Sequence, residues 1–453
     1  MESLFRKYLT AAPRYTSYPT VPAWNHKNFD LDSYKERLKN SFMTASAHGE
    51  SISLYIHLPF CESLCTYCGC NTRITKNHAV EQPYIQSLLL EWSMYLELFE
   101  TTPVIGEIHL GGGTPTFFTP ENLGMLIESI SSSAIIAEDA QLSFEGHPGN
   151  TTLQHLKVLY EARFRRASFG IQDFSPDVQQ IINRHQCVEQ VETVTRQARS
   201  IGYESVNYDL VYGLPGQTVE SLKNTLMEVK KLKPNRIAFY SYAHVPWLKP
   251  AQKSFSAEIL PDANLKMKLY LLGKEMLKEY GYVEIGMDHF ALPGDRLVRS
   301  MKEGELHRNF MGYTTSKAHV MIGLGVSSIS DAWTGFAQNH KTLEAYSEAL
   351  QKGELPIFRG HLHSRNDLVL RCHILNIICH FKTSWHKAHQ QSDMIYEATK
   401  SWKKMEEDGL IELHPYELHV TETGRHFLRN ICAALDPFLE QSAEKKNLFS
   451  STV

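Results

Sequence analysis

Six apolar runs of strand length, each followed by a segment of helical length, constrain this chain more than any other feature. The runs fall at 52–58, 104–110, 141–145, 166–172, 205–212 and 236–242. The helical segments fall at 83–98, 120–131, 152–162, 188–201, 219–232 and 262–280, with Thr119-Pro120 and Pro261-Asp262 as starts. Nearly continuous apolar strands alternating with helices predict a parallel sheet covered by helices. Such units cross over right-handedly and close into a full or partial barrel. The expected fold class is therefore α/β, a partial or elaborated (β/α) barrel with its extension over 51–345. Residues 1–50 show no strong period and are expected to form an arm. Residues 290–360 are less regular and contain His307-Arg308-Asn309-Phe310 and the turn glycines Gly323 and Gly325. Residues 360–453 read as a small, mainly helical, winged-helix-like domain covering the substrate site. Its helices are expected at 367–381, 395–408 and 423–439, with short strands at 410–413 and 417–420.

The bulk numbers narrow the function. Of 453 residues, 42% are hydrophobic and 21% charged, as in an ordinary globular protein. Lys and Arg number 46 against 50 Asp and Glu, a net charge of −4. That balance speaks against a nucleic-acid partner or an anionic membrane and leaves room for a local basic pocket. No apolar run is long enough to span a bilayer, and the first twenty residues lack a signal-peptide core, so the expected compartment is the cytoplasm. Four of the eight cysteines fall within 61–70, while Cys187, Cys372, Cys379 and Cys432 are scattered, as small buried hydrophobes are.

The clustered cysteines follow the first strand directly, in Cys61-Glu62-Ser63-Leu64-Cys65-Thr66-Tyr67-Cys68-Gly69-Cys70. A loop at the C-terminal end of a strand is where an α/β sheet places its ligand. Thiolates at Cys61, Cys65 and Cys68 suit a [4Fe–4S] cluster with one iron left free of protein ligands. A structural zinc site would need a second paired knuckle, and the chain has none. Further polar groups stand at the ends of the other strands: Gly111-Gly112-Gly113-Thr114-Pro115-Thr116 after the second, Glu145 after the third, Gln172 and Asp173 after the fourth. Asp209 stands late in the fifth, and Tyr240, Tyr242 and Ala243 close the sixth. Arg184, in Asn183-Arg184-His185-Gln186, could pair with a carboxylate.

The cysteine spacing resembles that of the radical S-adenosylmethionine (SAM) superfamily. In that family the open iron chelates SAM, and electron transfer into the sulfonium yields a 5′-deoxyadenosyl radical. The segment Gly111-Gly112-Gly113-Thr114-Pro115-Thr116 matches the stretch that binds the methionine amino group. Beyond the cysteines, nearly the whole chain resembles the oxygen-independent coproporphyrinogen III oxidases. The matching segments are Pro13-Arg14-Tyr15-Thr16-Ser17-Tyr18-Pro19-Thr20, Tyr55 to Cys61, Cys68-Gly69-Cys70, Met287-Asp288-His289-Phe290, Leu306 to Thr315, Gly323 to Ser330, Arg429-Asn430-Ile431-Cys432 and Phe449-Ser450.

That resemblance implies two SAM molecules in one site. Tyr55, Gly112, Glu145, Ala243 and Ile329 would contact the cluster-bound one. Tyr67, Gly113, Thr114, Gln172, Arg184 and Asp209 would contact the second. It implies the reaction too: loss of a β-hydrogen, CO2 and one electron from each of two propionates of coproporphyrinogen III, leaving vinyl groups and protoporphyrinogen IX. Cys70 belongs to the motif and is not a ligand there. The reductant would be a low-potential donor such as flavodoxin or ferredoxin, and a monomer is expected. A substrate with four carboxylates needs cations and donors, for which Arg14, His289, His307 and Arg308 are the candidates. The chain departs from the family at Gly146 and His147, where an apolar residue and then Asp or Asn are more usual. The competing readings are a haem chaperone with the same core, a haem-degrading radical SAM methyltransferase and a winged-helix nucleic-acid binder. The N-terminal arm and Cys70 favour the oxidase over the first, the arm over the second, and the charge balance disfavours the third.

Overall fold

The computed structural model describes residues 2–441 apart from Asn25 and Asn28. The expected Phe449-Ser450 motif lies outside the described residues. Six parallel strands run side by side in chain order: β1 (Ile52–Leu58), β2 (Val104–Gly112), β3 (Ile135–Gly146), β4 (Arg166–Gln172), β5 (Ser205–Tyr212) and β6 (Arg236–Ser241). The hairpin Val283–Gly286 and His289–Ala291 extends the sheet antiparallel beyond β6. Beyond β1 lie Met321–Leu324, parallel to it, and then Ile329–Asp331, Gly335–Asn339 and Ile357–Leu362. The two outermost strands do not pair with each other, so the barrel is partial and elaborated at both edges. The sheet takes in residues up to Leu362, past position 345, because the last hairpin completes the hydrogen bonding of Gly335–Asn339.

The strands are less uniformly apolar than their runs suggest. In β1, Ile52, Leu54, Ile56 and Leu58 turn outward under the helices and are at most 1% exposed. Ser53, Tyr55 and His57 alternate with them and turn inward. The same period of two brings Glu107 and His109, Ser143 and Glu145, Arg166 and Ser168, Asn207 and Asp209, and Arg236 and Tyr240 to one inner chamber. The barrel therefore has an apolar jacket and a polar lumen, which is the right solvent for a charged ligand.

Each strand returns through a helix that buries one stripe. In Pro120–Ser132 the stripe is Leu123, Leu126, Ile127 and Ile130, and the Thr119 side chain caps the start by accepting from the Asn122 N–H. The helix Glu81–Phe99 does more than cover β1. Its buried Glu91 accepts from the Gly325 N–H at 2.7 Å, the Tyr346 hydroxyl at 2.6 Å and the Asn339 amide at 2.6 Å. Tyr84 donates to the His57 carbonyl at 2.8 Å and accepts from the Val326 N–H at 3.0 Å. One helix thus holds both the end of β1 and the Gly323–Ser328 turn. Glu91→Ala leaves the buried Gly325 N–H and Tyr346 hydroxyl without their acceptor, while Asn339 keeps Gly325 and Ser328, and unfolding in urea should show a loss of about 2–5 kcal/mol.

The arm has more order than its sequence suggests. Leu31–Ala47 is a helix whose Tyr34, Leu38, Phe42 and Ala45 are buried, with Phe42 stacked on Phe99 at 4.0 Å. Its four apolar positions are spaced at helical intervals but are diluted by polar neighbours. Residues before it are tied to the C-terminal region. Tyr15 donates to Asp436 at 3.1 Å, and Asn430 donates to the Tyr8 carbonyl at 3.0 Å. That region contains helices Arg365–His380 and Asp393–Glu407 and a sheet of three short strands, Lys382–Ser384, Glu417–Val420 and Ile411–His414. The single helix expected over 423–439 is instead three pieces: Gly424–Phe427, Leu428–Ala433 and Pro437–Gln441. Pro437 cannot continue a preceding helix, and it opens the last piece instead.

Candidate active site

The cysteine loop lies across the C-terminal mouth of the barrel. The connection after β4 clamps it from the side. Thr66 donates its N–H to the Ile182 carbonyl and its hydroxyl to the Ile181 carbonyl, both at 3.0 Å. Asn183 donates to the Leu64 carbonyl at 2.8 Å, and Arg184 reaches the Cys65 sulfur at 3.7 Å. From the front, Lys249 donates to the Cys70 carbonyl at 3.0 Å and Gln252 to the Tyr67 carbonyl at 3.2 Å. Beneath, His57 bonds the Asn71 carbonyl at 2.9 Å.

Under the loop opens a cavity of ≈ 580 Å³, within the ordinary range for small-molecule sites. Cys61, Cys65, Cys68 and Cys70 line it, all as free thiols. Of the residues expected to contact SAM, Tyr67, Gly112, Gly113, Thr114, Glu145, Gln172, Arg184 and Asp209 line it too. Tyr55, Ala243 and Ile329 do not. Tyr55 stands behind Gly111, where a side chain would meet its ring at 2.9 Å. The Ala243 carbonyl is bonded to Gln252, and Ile329 pairs with Gln338. A second groove of ≈ 580 Å³, lined by Arg37, His319 and Trp333, lies at the opposite, N-terminal end of the sheet and contains none of these residues.

The glycine run fits the backbone into this floor. A Cβ at Gly113 would stand 2.6 Å from the Pro59 carbonyl, and Gly112 has φ +115° with the His57 ring 2.8 Å from the place of a Cβ. Any larger residue there would push the strand end off the cysteine loop.

The cysteines differ electrostatically. Burial pushes the Cys61 thiol up to about 11. Burial raises Cys65 as well, against the pull of Arg184. Cys68 is lowered to about 6, chiefly by its hydrogen bond with the Cys70 side chain and then by the Cys70 N–H, Lys249 and Arg184. Beside Cys68, the Cys70 thiol is raised well above its usual range.

A polar chain that the strand pattern had hidden holds Glu145. Arg166 donates to the Ser143 Oγ at 3.2 Å, Ser143 meets His109 Nδ1 at 2.8 Å, and His109 Nε2 meets Glu145 Oε1 at 3.2 Å. The Glu145 carboxylate only accepts, so the network assigns His109 the tautomer whose Nε2–H faces it, and the Ser143 hydroxyl, which accepts from Arg166, turns its own proton to Nδ1. Glu145 Oε2 takes the Gly112 N–H at 3.3 Å. Alternation of Glu107, His109 and Gly111 along an apolar strand was the sequence signal for an inward polar face.

Asp209, across the lumen, donates nothing and accepts from Ser168 at 3.3 Å. Burial, and then the charge of Glu145, push it up to about 7. An acid whose folded pKa is raised binds its proton more tightly in the native state, so stability falls as pH rises from about 4 to about 7. Urea midpoints of the apoprotein should decline across that window, and Asp209→Asn should flatten the decline.

His147 lines the cavity, with Nδ1 accepting from the Gly149 N–H at 3.0 Å. Burial and Arg184 lower it to about 3, so it faces the ligand space as a neutral imidazole. Of the substrate candidates, Arg14 reaches over the Tyr240 ring at 5.6 Å, donates to the Ser241 carbonyl at 2.8 Å and lies 3.5 Å from Asp288. His289 lines a deeper chamber of ≈ 130 Å³ that shares Glu145, Asp209 and Tyr240 with the main cavity. Arg308 is 5% exposed and lies over the Tyr313 ring at 4.6 Å, with two guanidinium nitrogens unpartnered. His307 lines neither space and faces Arg371 and Asp331.

Residues 55–229, from β1 through the helix after β5, match the Radical SAM superfamily; the partial barrel and its cysteine loop are those of a radical SAM protein. Similarity then continues to both ends of the chain. It is 38% identical to the oxygen-independent coproporphyrinogen III oxidase of Synechocystis sp., covering 99% of this chain and 97% of the relative. It is 36% identical to that of Escherichia coli over 97% and 96%. The solved structure of the Escherichia coli coproporphyrinogen III oxidase, described as a radical SAM enzyme, is similar with a TM-score of 0.88 at 33% identity, covering 96% of this chain and 98% of that one. The chain belongs to the oxygen-independent coproporphyrinogen III oxidase family.

A [4Fe–4S] cluster and SAM come with that family, and the residues present fit them. Among the described residues no three His, Cys, Asp or Glu side chains converge on a single metal ion. Cys61, Cys65 and Cys68 line one cavity, which is compatible with sulfur ligands to separate irons of a single cluster. Open glycine backbone, two carboxylates and one guanidinium suit a ligand with amino, hydroxyl and carboxylate groups.

Proposed function

We propose that this chain carries out the oxidative decarboxylation of two propionate side chains of coproporphyrinogen III, giving protoporphyrinogen IX. The observation that carries this reading is the extent of the likeness. Radical SAM similarity alone ends at residue 229, whereas similarity to the oxidases runs through the arm and the C-terminal region.

Cys61, Cys65 and Cys68 hold the cluster in this reading, and two SAM molecules share the cavity. When bound, the cluster and SAM supply a carbon radical that takes a β-hydrogen atom from a propionate. The chain's own groups bind and exclude. The Gly112–Thr114 backbone and Glu145, fixed through His109, orient SAM. Arg184 neutralises charge beside Cys65, and the loop over the mouth keeps water out. In this reading Arg14, over the Tyr240 ring, draws in a carboxylate, and His289 of the deeper chamber and Arg308 are further anchors. Among the described residues no helix is long and apolar enough to cross a membrane, and we take the site of action to be the cytoplasm and the working form to be a monomer.

The test is an anaerobic incubation of the reconstituted protein with coproporphyrinogen III, SAM and dithionite, read as protoporphyrin fluorescence after oxidation. Product should form only when all are present. An intact cluster with stoichiometric haem binding and no product would assign the chain to the haem-chaperone reading instead. Arg14→Ala should raise the KM for the porphyrinogen about tenfold, as expected for the loss of one charged hydrogen bond, with SAM cleavage unchanged.

A further inference from the structure

Outside the ligand cavity, the surface beside the cysteine loop is both cationic and apolar. Lys249 donates to the Cys70 carbonyl at 3.0 Å. Asn71, the next residue, donates to the Lys341 carbonyl at 2.8 Å. The Lys341 ammonium is lowered by burial and then by the nearby Arg359 and Lys249. Arg73 lies further along the same loop, 3.9 Å from Glu344. Trp247 and Leu248, immediately before Lys249, are 52% and 59% exposed. None of Lys249, Lys341, Arg359, Arg73, Trp247 and Leu248 lines the cavity.

That outward placement is the central observation. Cations meant for substrate carboxylates would face the cavity, and a porphyrinogen would meet apolar groups there as well. Here four cations gather on a chain whose net charge is −4, and the acid an ion pair brings among them is Glu344. Exposed Trp beside basic residues is the composition of a docking surface. Lys249 touches the backbone of the cysteine loop from this side, and the sulfurs line the cavity on the other, so a redox group held against this surface is separated from them by that loop.

We propose that this face docks an acidic, one-electron carrier protein, with Trp247 and Leu248 as the apolar contact and Lys249, Lys341, Arg359 and Arg73 as the charged surround. The inference rests on the radical SAM reading above. The carrier gives up one electron and the oxidised cluster takes it up, with no bond made or broken. Redox encounters of this kind bury less than about 1,200 Å², and their charge pairing is screened beyond about 8 Å at physiological ionic strength. Binding should therefore be weak and salt-sensitive.

The experiment uses the reconstituted full chain with flavodoxin as the probe. Binding of oxidised flavodoxin is followed by calorimetry at low and high salt, and cluster reduction by reduced flavodoxin is compared with reduction by dithionite. Wild type should bind, and more weakly in high salt. Arg73→Glu with Lys341→Glu should weaken the Kd at least tenfold and slow reduction by flavodoxin, leaving reduction by dithionite unchanged. Trp247→Ser, made separately, should weaken binding with the salt dependence kept. No binding by wild type, an unchanged Kd in the charge-reversed protein, or an equal loss with dithionite would overturn the proposal. Product formation with dithionite tests the catalytic reading by itself, so the two can fail separately.

Discussion

Cys65→Ser should give a folded protein that has lost both its iron–sulfur absorbance and its decarboxylation, whereas Cys70→Ser should keep both. Four sulfurs line the same cavity, so proximity alone does not separate ligands from bystander. Cys65 is the one to test because Arg184 and the 181–183 segment fix its position from outside the loop. A serine there keeps those backbone contacts but offers a poor ligand to iron. Cys70 interacts with Cys68 instead, its N–H donating to the Cys68 sulfur at 3.4 Å. Its replacement by serine keeps that N–H contact and removes no ligand in this reading. Iron content and absorbance near 400 nm, measured with turnover, check this; equal loss in both variants would make Cys70 a fourth ligand.

The second large effect is at Arg184. Its guanidinium faces Cys65, donates to the Gly170 carbonyl and presents a buried Nε without a partner. One cation thus links the cysteine loop, the end of β4 and the ligand cavity. Arg184→Met keeps the volume and removes the charge. Loss of a charge-assisted hydrogen bond costs about 1.5–3 kcal/mol, which is roughly 10- to 150-fold in binding or rate. The expected result is weaker SAM binding by equilibrium dialysis, with turnover down by about 100-fold and iron content preserved. Arg184→Lys, a point charge without the fork, should recover only part. Full activity in Arg184→Met would remove this residue from the site.

Much of this site could be read from the sequence because its local signals agree with the fold. The bounds of β1, β4 and β5 follow from apolar runs closed by Pro59, Asp173 and Gly213, and the cysteine loop sits where the end of β1 must lead. Glu145, Gln172 and Asp209 share a chamber because strand ends in a parallel sheet converge. Other features depend on partners distant in the chain. The start of β3 at Ile135 is set by pairing with Val104 and Ile105 across Ala137-Glu138-Asp139-Ala140, which has no strand pattern. The helix Leu31–Ala47 is selected by the surface it covers. His109 becomes meaningful only when Ser143 and Arg166 stand beside it. Arg14 was legible as a cation but not as one resting on Tyr240, since 226 residues separate them in the chain.

The most direct test of the whole account is the yield of CO2 from carboxyl-labelled coproporphyrinogen III, incubated anaerobically with the reconstituted protein, SAM and reductant. The account predicts two CO2 released per molecule of substrate consumed, dependent on SAM and absent in Cys65→Ser. Substrate unchanged and no CO2 from a protein with its cluster intact would contradict it.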